Sequence, residues 1–138
     1  LLLSGSNKIR SIKEFYEEYC RVLSENNVDD PKLIISERSM EGLLTRHPDT
    51  LWTTSFRFSV IDFEDTDYSE LLDVMALERL RIGEYSTLNY FNNYPEVMAK
   101  FKVNDHYQLH NLLKKIHEKQ PFEDIDFGRM PIIKKTKD

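Results

Sequence analysis

Cysteine, glycine and long apolar runs are scarce in this chain, and each scarcity removes a class of protein. Cys20 is the only cysteine, so no disulfide and no cysteine-based zinc site forms within one chain. Its place in a helical pattern predicts a buried structural thiol, and a lone cysteine fits a reducing, cytoplasmic setting. Glycine occurs only at 5, 42, 83 and 128, too sparsely for a Walker-type or dinucleotide-type phosphate loop. Four glycines and five prolines also argue against a loop-rich or all-β design. No apolar run approaches the roughly 20 residues needed to span a bilayer, so no membrane partner is expected. No glycine-flanked nucleophile elbow surrounds any serine. On these grounds no catalytic residue, metal or cofactor is assigned, and the chain reads as a non-enzyme. An initiator methionine is missing too, which predicts a processed or excised chain. Residues 1–10, with Ser4-Gly5-Ser6, read as a linker or cloning remnant.

What is present is the material of a folded domain. Hydrophobic residues make up 40% and charged residues 31% of 138 positions, an ordinary globular balance. Eight Phe and seven Tyr supply large buried areas from few residues. Ser11 and Glu14 form a capping-box pattern, and Ile12, Phe15, Tyr16, Tyr19, Cys20 and Leu23 then recur at helical spacing. Asp30-Pro31 restarts the chain, and a second helix runs from Ser36 or Ser39 to Arg46, stopped by His47-Pro48. Residues 51–61 alternate, which predicts one strand with Trp52, Phe56, Phe58 and Val60 inward and Thr53, Arg57 and Ser59 outward. Its expected partners are residues 33–35 and 127–133. A third helix is expected after Thr66 or Asp67, carrying Leu71, Leu72, Met75, Leu80 and Ile82 and closed by Gly83. Ser86 begins a fourth, broken near Pro95, and Asn104 or Asp105 caps a fifth through Ile116. The expected fold is α+β and mainly helical, with about five helices and a small antiparallel sheet. Its expected units are residues 11–62 and 63–138, with one compact domain over 11–133 as the alternative.

Charge is uneven. Residues 1–96 hold 10 basic against 18 acidic side chains, a net of −8, and residues 97–138 hold 9 against 6, a net of +3. The acidic group Asp62, Glu64, Asp65, Asp67, Glu70 and Asp73 reads as a solvated loop and helix start, where negative charge suits the helix dipole. The alternatives are a cation site or a docking surface for a basic protein. The Asp spacing lacks the glycine and terminal Glu of an EF-hand. His106 and His110 share a helix face four residues apart, but no HExxH pattern or third ligand accompanies them, so they read as ordinary histidines.

The chain also echoes itself. Residues 39–46 (SMEGLLTR), followed by a β segment with Phe56-Arg57-Phe58, line up with residues 108–115 (QLHNLLKK), followed by Phe127-Gly128-Arg129. Each copy is an amphipathic helix ending in a basic residue and leading into a strand. This arrangement resembles winged-helix and helix-turn-helix DNA-binding domains over about residues 85–135, or two such units in tandem. The resemblance implies a packing helix over 90–101 and a recognition helix over 104–116. Its exposed face is expected to offer Gln108, Asn111 and Lys115, with His106 and His110 beside them. Gln and Asn suit adenine edges, and Lys suits guanine or phosphate. Arg129 on a wing, with Lys114, Lys134, Lys135 and Lys137, is expected to meet phosphates. The expectation is a nucleic-acid-binding or transcription-regulatory module that holds DNA or RNA through its basic C-terminal third. The competing expectation is a protein-interaction or accessory domain, making contact through residues 62–73 and exposed tyrosines such as Tyr85, Tyr90 and Tyr94.

Overall fold

The computed structural model describes residues 8–26, 36–54 and 57–137. The chain divides into two compact units, one ending at Asp65 and one beginning at Thr66. In the first, strand β1 (Arg10–Ser11) runs straight into helix α1 (Ile12–Glu25). Helix α2 (Glu37–Arg46) follows, and β2 (Thr50–Trp52) and β3 (Arg57–Val60) form a hairpin. The start of α1 is set by the expected capping box. The Ser11 hydroxyl accepts the Glu14 amide at 3.1 Å, and the Glu14 carboxylate accepts the Ser11 amide at 3.4 Å. Hydrogen bonding from Ser11, first from its side chain and then from its amide, holds the Glu14 carboxyl below its usual range. The Ser36 hydroxyl caps α2 by accepting the Ser39 amide at 3.1 Å, without a reciprocal carboxylate bond. Arg10 is only 5% exposed and pairs with Glu18 at 2.6 Å, so this residue of the presumed linker belongs to the fold.

Residues 51–61 are not one strand. They bend into the β2–β3 hairpin, with Thr50 opposite Val60, Leu51 opposite Ser59 and Trp52 opposite Phe58. Even-numbered residues face even-numbered ones across the turn, so the two-residue alternation keeps its phase through the bend and imitates a single strand. The partners of β3 are β1 and β2, not residues 127–133. Residues 33–35, Asp30-Pro31 and Phe56 lie outside the described residues. Phe58 and Val60 face inward as expected, onto Phe15, Met40 and Leu44, while Trp52 is half-buried against them. Ser59, expected outside, is fully buried, as is Leu51 opposite it. The central strand is covered on both faces there, and a small serine fits under the cover. Cys20 is exposed, not buried. At 100° per residue it stands about 80° round from Ile12, on the edge of the stripe.

The second unit holds α3 (Ser69–Met75), a 3₁₀ turn (Leu77–Arg79), β4 (Gly83–Ser86), α4 (Thr87–Asn93), α5 (Pro95–Lys100), α6 (His106–Lys119), β5 (Ile125–Phe127) and β6 (Ile132–Lys135). The third helix stops earlier than expected. After Leu71 and Met75 the next inward positions are Glu78 and Arg79, both exposed, so the apolar stripe has nothing further to bury. Ala76 turns left-handed at φ 46°, and Gly83 opens a strand instead of closing the helix. Ser86 and Asp105 cap α4 and α6.

The described residues thus form six α-helices and two three-stranded antiparallel sheets, a mainly helical α+β fold. Both sheets are ordered alike: β1-β3-β2 and β4-β6-β5, with the last strand in the middle. Both units therefore run strand, helices, hairpin, and the two echoed helices, α2 and α6, each precede a hairpin.

Phe58 is fully buried, edge-on to Phe15 at 5.4 Å and 5.1 Å from Trp52. Phe58→Ala is expected to cost about 3–5 kcal/mol in denaturant unfolding, from lost burial and the cavity left. Arg57→Ala, which removes only an exposed 3.9 Å pair with Glu14, is expected to cost at most about 1 kcal/mol.

Candidate nucleic-acid interface

Helix α6 is the centre of the second unit. Leu109, Leu112, Leu113 and Ile116 bury its apolar face, the spacing of an amphipathic helix. The opposite face carries Tyr107, Asn111, Lys114 and Glu118 at steps of four, three and four residues, with Lys115 beside them. Lys114 is exposed, and Asn111 and Lys115 are half-buried.

Two residues expected on that face are elsewhere. Gln108 is fully buried, and its side-chain oxygen accepts both the backbone and side-chain N–H of Asn104 at 2.9 Å. It braces the turn into the helix and cannot reach a base. His110 is 1% exposed, edge-on to Phe127 at 5.4 Å, with no hydrogen-bond partner for Nδ1. Burial, then the nearby Lys114 charge, depresses its pKa to about 4. His106 is half-buried with its ring 4.1 Å from Tyr107, and His117 accepts the Phe122 amide at Nδ1. Among the described residues no three of His, Cys, Asp and Glu gather as metal ligands.

The hairpin residues divide in the same way. Arg129 is exposed in the β5–β6 turn. Lys134 is exposed too, but stands directly between Glu84 on β4 and Asp126 on β5. Side chains at such opposed positions share one face at about 5 Å, so an acidic residue flanks this lysine on each side. Lys135 is 5% exposed and donates to the Leu77 carbonyl at 3.3 Å, which removes it from any phosphate-binding face. Lys137 is exposed beside Glu123 and Asp124. What the fold leaves is Asn111, Lys114 and Lys115 on the helix and Arg129 on the hairpin tip.

Thr87, fully buried, joins these two elements. Its amide donates to the Pro131 carbonyl at 3.1 Å, and its hydroxyl lies 3.1 Å from both that carbonyl and the His106 carbonyl. The hairpin tip is thereby held at the N-terminal end of α6. Lys114 lies eight residues further along, about 12 Å at 1.5 Å per residue. Sequence reasoning missed Thr87, whose role depends on two carbonyls 19 and 44 residues away. It also missed Tyr107, which the spacing to Asn111 and Lys114 could have found.

The rival contact residues are also placed. All six acids between 62 and 73 are exposed, and Ser69 hydrogen bonds, side chain first, hold Asp67 below the usual carboxylate range. Tyr94 is exposed, whereas Tyr85 and Tyr90 are half-buried. Burial, then the neighbouring Tyr85 and Tyr94, raises the Tyr90 pKa. No helix among the described residues is long and apolar enough to cross a membrane. No family model, curated protein or solved structure matches the chain.

His110 gives a pH test. Its pKa is depressed in the fold, so the unfolded chain takes up the proton first. The stability it confers is complete above about pH 6.5 and is lost as pH falls toward 4. The loss is expected to be on the order of 3 kcal/mol. A His110→Gln variant is expected to show a flatter stability profile across this window, measured by urea unfolding at each pH.

Proposed function

We propose that the second unit is a winged-helix, nucleic-acid-binding module with a transcription-regulatory role, with α6 as its recognition helix and the β5–β6 hairpin as its wing. The observation that carries this reading is connectivity: helix, strand, helices, hairpin, with the last strand central in the sheet. The first unit repeats the strand–helices–hairpin part of that order, which supports a tandem arrangement. On this reading α6 presents Asn111, Lys114 and Lys115 to a groove, and Arg129 reaches an adjoining phosphate from the wing. The module is weakly charged for its task. From Thr66 onward it holds 11 basic against 12 acidic side chains, a net of −1. Binding therefore depends on a few segregated cations, and affinity is modest and steeply salt-dependent.

Anisotropy titrations of labelled duplex and single strands at low salt test this. Lys114→Ala and Arg129→Ala are each expected to weaken all sequences alike and to lower the log–log salt slope on duplex by about 0.9. Lys134→Ala is expected to change the slope less than either, because Glu84 and Asp126 flank it on neighbouring strands. Asn111→Ala is expected to relax base preference by about 1–3 kcal/mol. No binding by about 100 µM, the weak end of non-specific affinity, would overturn the reading. The protein-interaction alternative would then lead, favoured by the exposed acids at 62–73.

A further inference from the structure

The second unit contains a cleft of about 470 Å³ whose chemistry does not belong to a nucleic-acid surface. Its size lies within the range of small-molecule sites. Leu72, Leu77, Phe122 and Ile125 form an apolar lining, and Leu72 and Phe122 are still half-exposed to the space. Lys135 lies in its depth at 5% exposure. An ammonium carries three donors, and here one neutral carbonyl, that of Leu77, is engaged at 3.3 Å. Among the described residues no carboxylate comes within ion-pairing distance of it. A buried cation so poorly compensated favours an anion beside it.

The rim selects which anion. Glu78, Glu123 and Asp124 are exposed there with Lys137, so with Lys135 the lining has a formal charge of −1. A simple carboxylate is repelled on approach, whereas one that brings its own ammonium is net neutral and finds partners for both charges. The rim turn is also preformed. Asp124 holds φ 58°, and its carbonyl accepts the Thr136 amide at 2.8 Å and the Thr136 hydroxyl at 3.1 Å. Strained backbone of this kind persists when neighbouring bonds over-determine it.

We propose that this cleft binds a hydrophobic α-amino acid, its carboxylate on Lys135, its ammonium at the acidic rim and its side chain over Leu72 and Phe122. The proposal does not rest on the nucleic-acid reading, since none of these residues lies on the exposed face of α6. It gives Lys135 a role other than phosphate contact.

The test is an amide chemical-shift titration of the full chain with L-phenylalanine, with 3-phenylpropionate and phenethylamine as separate arms. Saturable shifts are expected at Leu77, Asp124 and Ile125, with L-phenylalanine at least about tenfold tighter than either arm. Lys135→Met is expected to weaken L-phenylalanine at least about tenfold. Exposed Glu123→Gln, which spares the fold, is expected to narrow the preference for L-phenylalanine over 3-phenylpropionate, and it decides the matter if Lys135→Met fails to fold. No saturable shift by about 10 mM, equal response to one of the single-charge arms, an unchanged preference in Glu123→Gln, or a folded Lys135→Met variant that binds normally would each overturn the proposal.

Discussion

The buried Thr87 side chain is the constraint on which the candidate face depends. It occupies the first position of α4, where a helix amide has no partner within its own helix. The Pro131 carbonyl takes that amide, and the hydroxyl lies within reach of the Pro131 and His106 carbonyls. One hydroxyl proton serves one carbonyl at a time, so the residue ties helix start, hairpin turn and α6 together without surplus. Thr50 does related work in the first unit. Its buried hydroxyl lies 2.6 Å from the Leu44 carbonyl and 2.9 Å from the His47 carbonyl at the end of α2 and fixes where β2 begins. In both units a buried threonine adds a side-chain donor to backbone carbonyls near the junction between helix and hairpin.

Position, more than count, governs the charges. Lys134 and Lys135 are neighbours in sequence, yet strand alternation sends one to the outer face between two carboxylates and the other into the interior. The basic tail that composition suggests is therefore dismantled by the sheet. Lys114 and Arg129 keep their exposure because they sit on a helix face and in a turn tip, where no cross-strand partner opposes them.

How much was legible follows from the range of each interaction. Caps made by bonds three residues long were legible: Ser11 with Glu14, and, each as one of two alternatives, Ser36 with Ser39 and Asp105 with Gln108. Helix α3 instead begins after Tyr68 with no side-chain cap, not at Thr66 or Asp67. The mainly helical α+β class was legible from periodicity, and so was a helix leading into a β segment in each half. The β2–β3 bend was not, because its even-to-even register preserves alternation across the turn. The early end of α3 was present in the sequence as charged Glu78 and Arg79 at inward positions, hidden by the apolar residues around them. Of the eight candidate contacts, Gln108 and Lys135 failed because burial depends on what packs from afar. Gln108 has the polarity of a surface residue, but Asn104 draws it into the turn.

The measurement that bears most directly on this account is native-state hydrogen exchange of a Thr87→Val variant against the parent. Valine keeps the shape and the amide but removes the hydroxyl. If Thr87 holds the hairpin tip to α6, protection is expected to fall together at Gly128 and Ile132 in the hairpin and at Leu109 and His110 in the first turns of α6. The fall is expected to be about 0.5–1.5 kcal/mol, the net contribution of one intramolecular hydrogen bond, with the first unit's Thr50 and Ser59 unchanged. Unaltered protection in the hairpin, or loss confined to α6 alone, would contradict it.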